Sequence, residues 1–227
     1  MDSIVWFGDP PDVVIVTGDL SEGIDKKFDV SNPMILSQMR MAAEAISLWC
    51  AKKEYILITG TVAHTTAQLQ EMEEHAAAII QSKQPDVKVS IRRKLNTSIN
   101  GWFNLQARHF IGGSAIPHGR ATAPLRSQLW QDLNSFLKST VNGTPARRTH
   151  LHIFGHVHYY TQIRNARGCV VTMPCWKALG DKFGEEICDG AVDMGTLKLI
   201  VGDTEEEGWS LSERLYLPGV ISRMESR

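Results

Sequence analysis

The chain is poor in cysteine, has no excess of charge of either sign and contains no long apolar run. Its 227 residues include four cysteines, Cys50, Cys169, Cys175 and Cys188. None is spaced as a CxxC pair and together they form no dense framework, so they read as reduced thiols in a cytosolic protein. Lys and Arg number 24 against 25 Asp and Glu, a net charge of −1. That balance argues against holding nucleic acid by bulk electrostatics, while leaving room for local basic patches. No apolar stretch approaches the roughly 20 residues needed to span a bilayer, and Met1-Asp2-Ser3 is not the charged start of a secretory signal. A cytoplasmic protein without a membrane partner is expected. There is no internal repeat and no linker-like tract. With 43% hydrophobic and 22% charged residues, the composition is that of one ordinary globular domain spanning 1–227, long enough to bury a full core.

Strand and helix signals alternate in the first half. Asp12-Val13-Val14-Ile15-Val16-Thr17 is a continuous β-branched run ending in Gly18-Asp19, the pattern of an interior strand covered on both faces. Asn32 and Pro33 suit the start of a helix in which Ile35, Met39, Ala42, Ile46 and Trp49 form one apolar stripe. Tyr55–Thr59 is a second buried strand closed by Gly60. The helix after it places Leu69, Met72, Ala76 and Ile79 inward and Glu71, Glu73 and Glu74 outward. Strands are expected at Val87–Arg92 and Trp102–Phe110, then a third helix carrying Leu125, Leu129, Leu133 and Phe136. From His150 onward the pattern is β: Leu151–Phe154, Tyr160–Arg164, Val170–Met173, Ala191–Val201 and Trp209–Leu217. The fold class is a mixed α/β domain.

Polar residues gather where strands end: Gly18-Asp19, Gly60-Thr61 with His64, His109, and Gly155-His156-Val157-His158. Ligands in open α/β sheets bind at strand carboxyl ends, so these points are candidates for one pocket. Two imidazoles spaced two apart on extended backbone point the same way and suit one metal or two adjacent ones, with Asp19 as a carboxylate able to bridge two cations. Each residue also has a plain structural reading. Asp19 can cap a turn, His64 a helix start, and His109 can be a satisfied histidine on a strand face. His75 reads as solvated, His118 as part of a mobile loop, and His150 and His152 point away from the apolar face of Leu151 and Ile153.

The order of these blocks resembles the calcineurin-like metallophosphoesterase superfamily, whose motifs run DxH, GDxx, GNH(D/E), a lone His, then GHxH. The variant Gly60-Thr61-Val62-Ala63-His64, the loop after His109, and Met173-Pro174-Cys175-Trp176 are most similar to phage and prophage members. The resemblance implies two mixed β-sheets packed face to face with helices outside, a four-layer α/β/β/α fold. It also implies two divalent metal ions (Mn, Fe, Zn or Ni) that activate a hydroxide against a phosphoester. Carried over by residue, Asp19 bridges both metals, His109 and His156 bind the second, and His158 binds the first. His64 falls where the family protonates the leaving oxygen or stabilises the transition state.

Two departures bear on this reading. No DxH precedes Asp19, so the N-terminal strand and two ligands of the first metal are expected to be missing, with only one ion expected to bind tightly. Thr61 stands where the family places an Asn ligand, which leaves His64 as either acid or ligand. The implied function is a phosphodiesterase or phosphatase, or a nuclease if Arg92-Arg93-Lys94, Arg147-Arg148, Arg164 and Arg167 track a nucleic-acid backbone. The substrate partner is then a nucleic acid or a small phosphoester. The alternative is a catalytically impaired remnant that binds without turnover, or has no function.

Overall fold

A computed structural model describes residues 2–21, 35–61, 71–114, 116–143, 145–146, 148–176 and 192–216. Strands β1 (Val13–Val16), β2 (Glu54–Ile58) and β3 (Lys88–Arg92) form a parallel sheet in that order. Strands β4 (Lys94–Ile99), β5 (Phe103–Arg108), β6 (Leu151–Phe154), β7 (Thr161–Asn165) and β8 (Gly168–Thr172) form a second sheet, ordered β4-β5-β6-β8-β7. There β5, β6 and β8 run parallel and the outer strands β4 and β7 antiparallel to their neighbours. A hairpin of β9 (Met194–Val201) and β10 (Trp209–Tyr216) completes the strands. The helices are α1 (Asp2–Phe7), α2 (Ile35–Ser47), α3 (Glu71–Lys83) and α4 (Thr122–Asn142).

The period-two alternation of β2 shows why the layers stack. Tyr55 and Leu57 face Met39 and Ala43 of α2 and Met72, Ala76 and Ile80 of α3. Ile56 and Ile58 point the other way, into a cluster with Phe103, Leu105, Ala107, Leu151, Ile153 and Val171 of the second sheet. Phe154 and Val170 then turn their opposite faces toward the α4 side, where Ala123 and Leu125 pack. The result is helices, sheet, sheet, helix: four layers with the largest core between the sheets. Each fully buried side chain of the size of Leu57 contributes about 2 kcal/mol. Among the described residues, no helix is long and apolar enough to cross a membrane.

Several expectations need correction. The first sheet is parallel rather than mixed among its described strands. Among the described residues strand β1 pairs with β2 alone, at the edge of that sheet rather than between two strands. Its apolar residues do cover both faces, with Val14 and Val16 toward the helices and Ile15 toward the second sheet. Face coverage is what a β-branched run encodes; the number of strand neighbours is not. Strand β4 was not expected, because KLNTSI on this outer strand carries few apolar residues. Glu73, expected outward, is fully buried. In α4, Leu129, Leu133 and Phe136 face solvent, while Gln128, buried, faces inward and accepts a 2.9 Å bond from Asn165.

Candidate metal centre

Parallel pairing of β1 with β2 and of β5 with β6 brings four strand carboxyl ends to one rim of the sandwich. Each ends in a glycine or arginine followed by a polar residue: Gly18-Asp19, Gly60-Thr61, Arg108-His109 and Gly155-His156. The glycines permit the approach. A Cβ on Gly18 would lie 2.6 Å from His109 Nδ1, one on Gly60 would overlap Asp19 Oδ1, and one on Gly155 would lie 2.7 Å from Thr17 O. Asp19, His156 and His158 all hold positive φ (52°, 74° and 56°), a backbone conformation costing on the order of 1 kcal/mol or more apiece. Three strained residues at one rim are held by the surrounding strands.

Asp19, His109 and His156 present ligand atoms that all lie within 4.8 Å of one another. His109 Nε2 is 2.8 Å and His156 Nδ1 3.8 Å from Asp19 Oδ2. His109 is buried and His156 half-buried. The proton position on His109 follows from its other nitrogen, Nδ1, which sits 2.6 Å from the Thr17 carbonyl. A carbonyl only accepts, so Nδ1 carries a proton toward Thr17, and Nε2 is the nitrogen turned to the carboxylate oxygen and left for a metal. Neither His109 Nε2 nor His156 Nδ1 makes a hydrogen bond, although both are buried. An imidazole held by a backbone carbonyl through one nitrogen and aimed beside a carboxylate with the other is the donor set of a transition-metal site. The three residues therefore fit one divalent cation.

Thr61 is not aimed as a ligand. Its N–H donates to Asp19 Oδ1 at 2.7 Å and its hydroxyl at 3.2 Å. His158 lies two residues beyond His156, half-buried and outside the group of three. Its carbonyl accepts from the Asp193 N–H at 2.9 Å. His64 lies outside the described residues. Phe110, largely exposed, sets its ring 4.9 Å from that of His156. Arg120 lies 4.5 Å over the Tyr159 ring. Of the basic residues weighed for nucleic acid, Arg164 lies 4.9 Å over Trp209, Arg167 is 3.7 Å from Asp132, and Arg148 donates to the Arg167 carbonyl. Arg147 is outside the described residues.

Sequence reasoning missed Glu73. From α3 its Oε1 accepts the Gly60 N–H at 3.0 Å, pinning the loop that carries Thr61. Burial raises the pKa of its carboxyl above the ordinary value; the Gly60 bond opposes this and the Asp19 charge adds to it. The missed signal was the spacing Glu73, Ala76, Ile80, which puts the carboxylate on the inward stripe of the helix.

No protein-family model matches the chain, and no curated protein sequence is similar to it. Among solved structures, a single mutant of Vps29 from Entamoeba histolytica is 11% identical, covering 90% of this chain and 99% of that one, with a TM-score of 0.42. Wild-type Vps29 of the same organism complexed with zinc is 10% identical, covering 89% and 98%, at TM-score 0.42. An archaeal phosphodiesterase is 10% identical, covering 90% and 99%, at 0.36. At such values these likenesses assign neither ligand nor activity to this chain.

Proposed function

We propose that the chain is a metal-dependent phosphoester hydrolase centred on Asp19, His109 and His156. The observation that carries this reading is the convergence of one carboxylate and two imidazoles, with ligand atoms within 4.8 Å of one another and His109 Nε2 2.8 Å from Asp19 Oδ2. A divalent cation beside them would take both atoms as ligands. When bound, a divalent ion supplies Lewis acidity, acidifying water and polarising a phosphoryl oxygen. Asp19 brings the negative charge, oriented by Thr61. His109 is fixed by Thr17, and His156 faces the same point from the β6 loop. His158 is assigned to a second ion shared with Asp19, and His64 to protonation of the leaving oxygen.

A second reading, metal binding with little turnover, is favoured by the ligand set among the described residues, which numbers three and suffices for one ion. Metal-stripped protein titrated with manganese separates the two. The expected result is binding together with hydrolysis of bis(p-nitrophenyl) phosphate, falling about 100-fold or more in Asp19→Asn and His109→Ala. Stoichiometric binding without turnover selects the second reading, and failure to bind manganese, zinc, iron or nickel overturns both. Parallel assays on p-nitrophenyl phosphate and a single-stranded oligonucleotide distinguish phosphatase, diesterase and nuclease forms.

A further inference from the structure

The outer face of the second sheet beneath α4 is polar where β5 and β6 carry Gln106, Arg108 and His152. Helix α4 answers with its polar side. Gln128 accepts from Asn165, Ser127 accepts from Arg108 at 2.7 Å, and Asp132 lies 3.7 Å from Arg167. That match fixes the rotation of the helix, and the rotation turns its apolar side outward. Leu129, Trp130, Leu133, Phe136, Leu137 and Val141 are between 44% and 83% exposed. At about 100 Å2 each, they present on the order of 600 Å2 of contiguous apolar surface, the upper end of what a monomer displays.

We propose that this face is an isologous interface between two copies of the chain. The pattern is its own reverse about Leu133: Leu129 and Leu137 lie four residues to either side, Trp130 and Phe136 three. An antiparallel pair of α4 helices on a two-fold axis through Leu133 sets Leu129 against Leu137 and Trp130 against Phe136. In that register Arg126 meets Thr140, so no like charges oppose there. Two such faces remove about 1,200 Å2 in total, the threshold of a specific, stable contact, with aromatic residues near the centre. The inference does not depend on the metal centre.

Sedimentation equilibrium of the full chain between about 1 and 100 μM tests it. The expected mass is twice 25.3 kDa. Leu133→Glu and Leu133→Lys are each expected to be monomeric with unchanged circular dichroism, and their equimolar mixture to dimerise again, because residue 133 meets its own copy. Trp130→Glu is a second disrupting variant. A wild-type mass of 25.3 kDa throughout, as when another segment or protein covers α4, overturns the proposal. So does a dimer that survives both Leu133→Glu and Trp130→Glu, and failure of the mixture to re-pair overturns the two-fold register.

Discussion

Thr61 gives both its backbone N–H and its hydroxyl to Oδ1 of Asp19, at 2.7 and 3.2 Å. With Oδ1 held this way, Oδ2 is turned toward His109 and His156. Residues that orient a ligand typically carry about 10- to 100-fold of the affinity for its metal. Thr61→Val keeps the N–H and removes the hydroxyl, so manganese affinity is expected to fall about 10-fold, at the lower end of that range. Thr61→Ser should restore it. Isothermal titration of the three proteins reads the effect; equal affinities would mean that the backbone N–H alone orients Asp19.

Gly60 is required by space rather than by conformation. A Cβ there would overlap Asp19 Oδ1 and lie 2.5 Å from Asp19 N, so either the β1 or the β2 strand end must retreat. Gly60→Ala is expected to cost about 2 kcal/mol of stability and to abolish tight metal binding. Gly112→Ala is the control, since its Cβ would meet only Ala123 at 3.7 Å; it should change stability by less than about 0.5 kcal/mol. Urea unfolding measures both. A Gly60→Ala protein as stable and as tightly binding as wild type would show that the rim adjusts freely.

What the sequence disclosed, and what it hid, follow from the same physics. The convergence of Asp19, His109 and His156 was legible because each follows an apolar strand, and parallel strands deliver their ends to one rim. Glu73 was hidden among Glu71 and Glu74: three acidic residues within four positions look like a solvated face, although only Glu73 shares the stripe of Ala76 and Ile80. The helix at 122–142 was legible from its leucines, but its rotation was not, because that depends on the polar residues Gln106, Arg108 and His152 of distant strands. The edge strand β4 lacked the apolar alternation that announces a half-buried strand.

Glu73 makes a pH-dependent contribution whose sign is fixed by its raised pKa. The folded protein favours the protonated acid. This stability is therefore fully present below the unfolded value of 4.5 and is lost as pH rises through the folded value. Glu73→Gln imitates the protonated form at every pH. In EDTA, variant and wild type are expected to melt alike near pH 4, as the protonated carboxyl and the amide are nearly isosteric. The variant should gain relative stability as pH rises. A constant difference from acid to neutral pH would show that Glu73 is solvated. The variant should also bind manganese less tightly, since it removes a negative charge near Asp19.

His152 gives the opposite sign. It is fully buried, and its pKa is lowered to about 4, first by burial and then by the charges of Lys94 and Arg108. The native state thus requires the neutral ring, while the unfolded chain takes up a proton near 6.5. Stability is complete above that value and is lost as pH falls toward about 4, a loss on the order of 3 kcal/mol. Neither ring nitrogen makes a hydrogen bond, so the polar ring gives nothing back at neutral pH for its desolvation. His152→Leu is therefore expected to be as stable as wild type at pH 7 or more so by about 1 kcal/mol, and to lack this share of the acid loss. Urea unfolding at a series of pH values between the two pKa limits measures the difference in slope. Parallel slopes would mean that protonation of His152 is not opposed in the folded protein, and that the polar layer beneath α4 admits water.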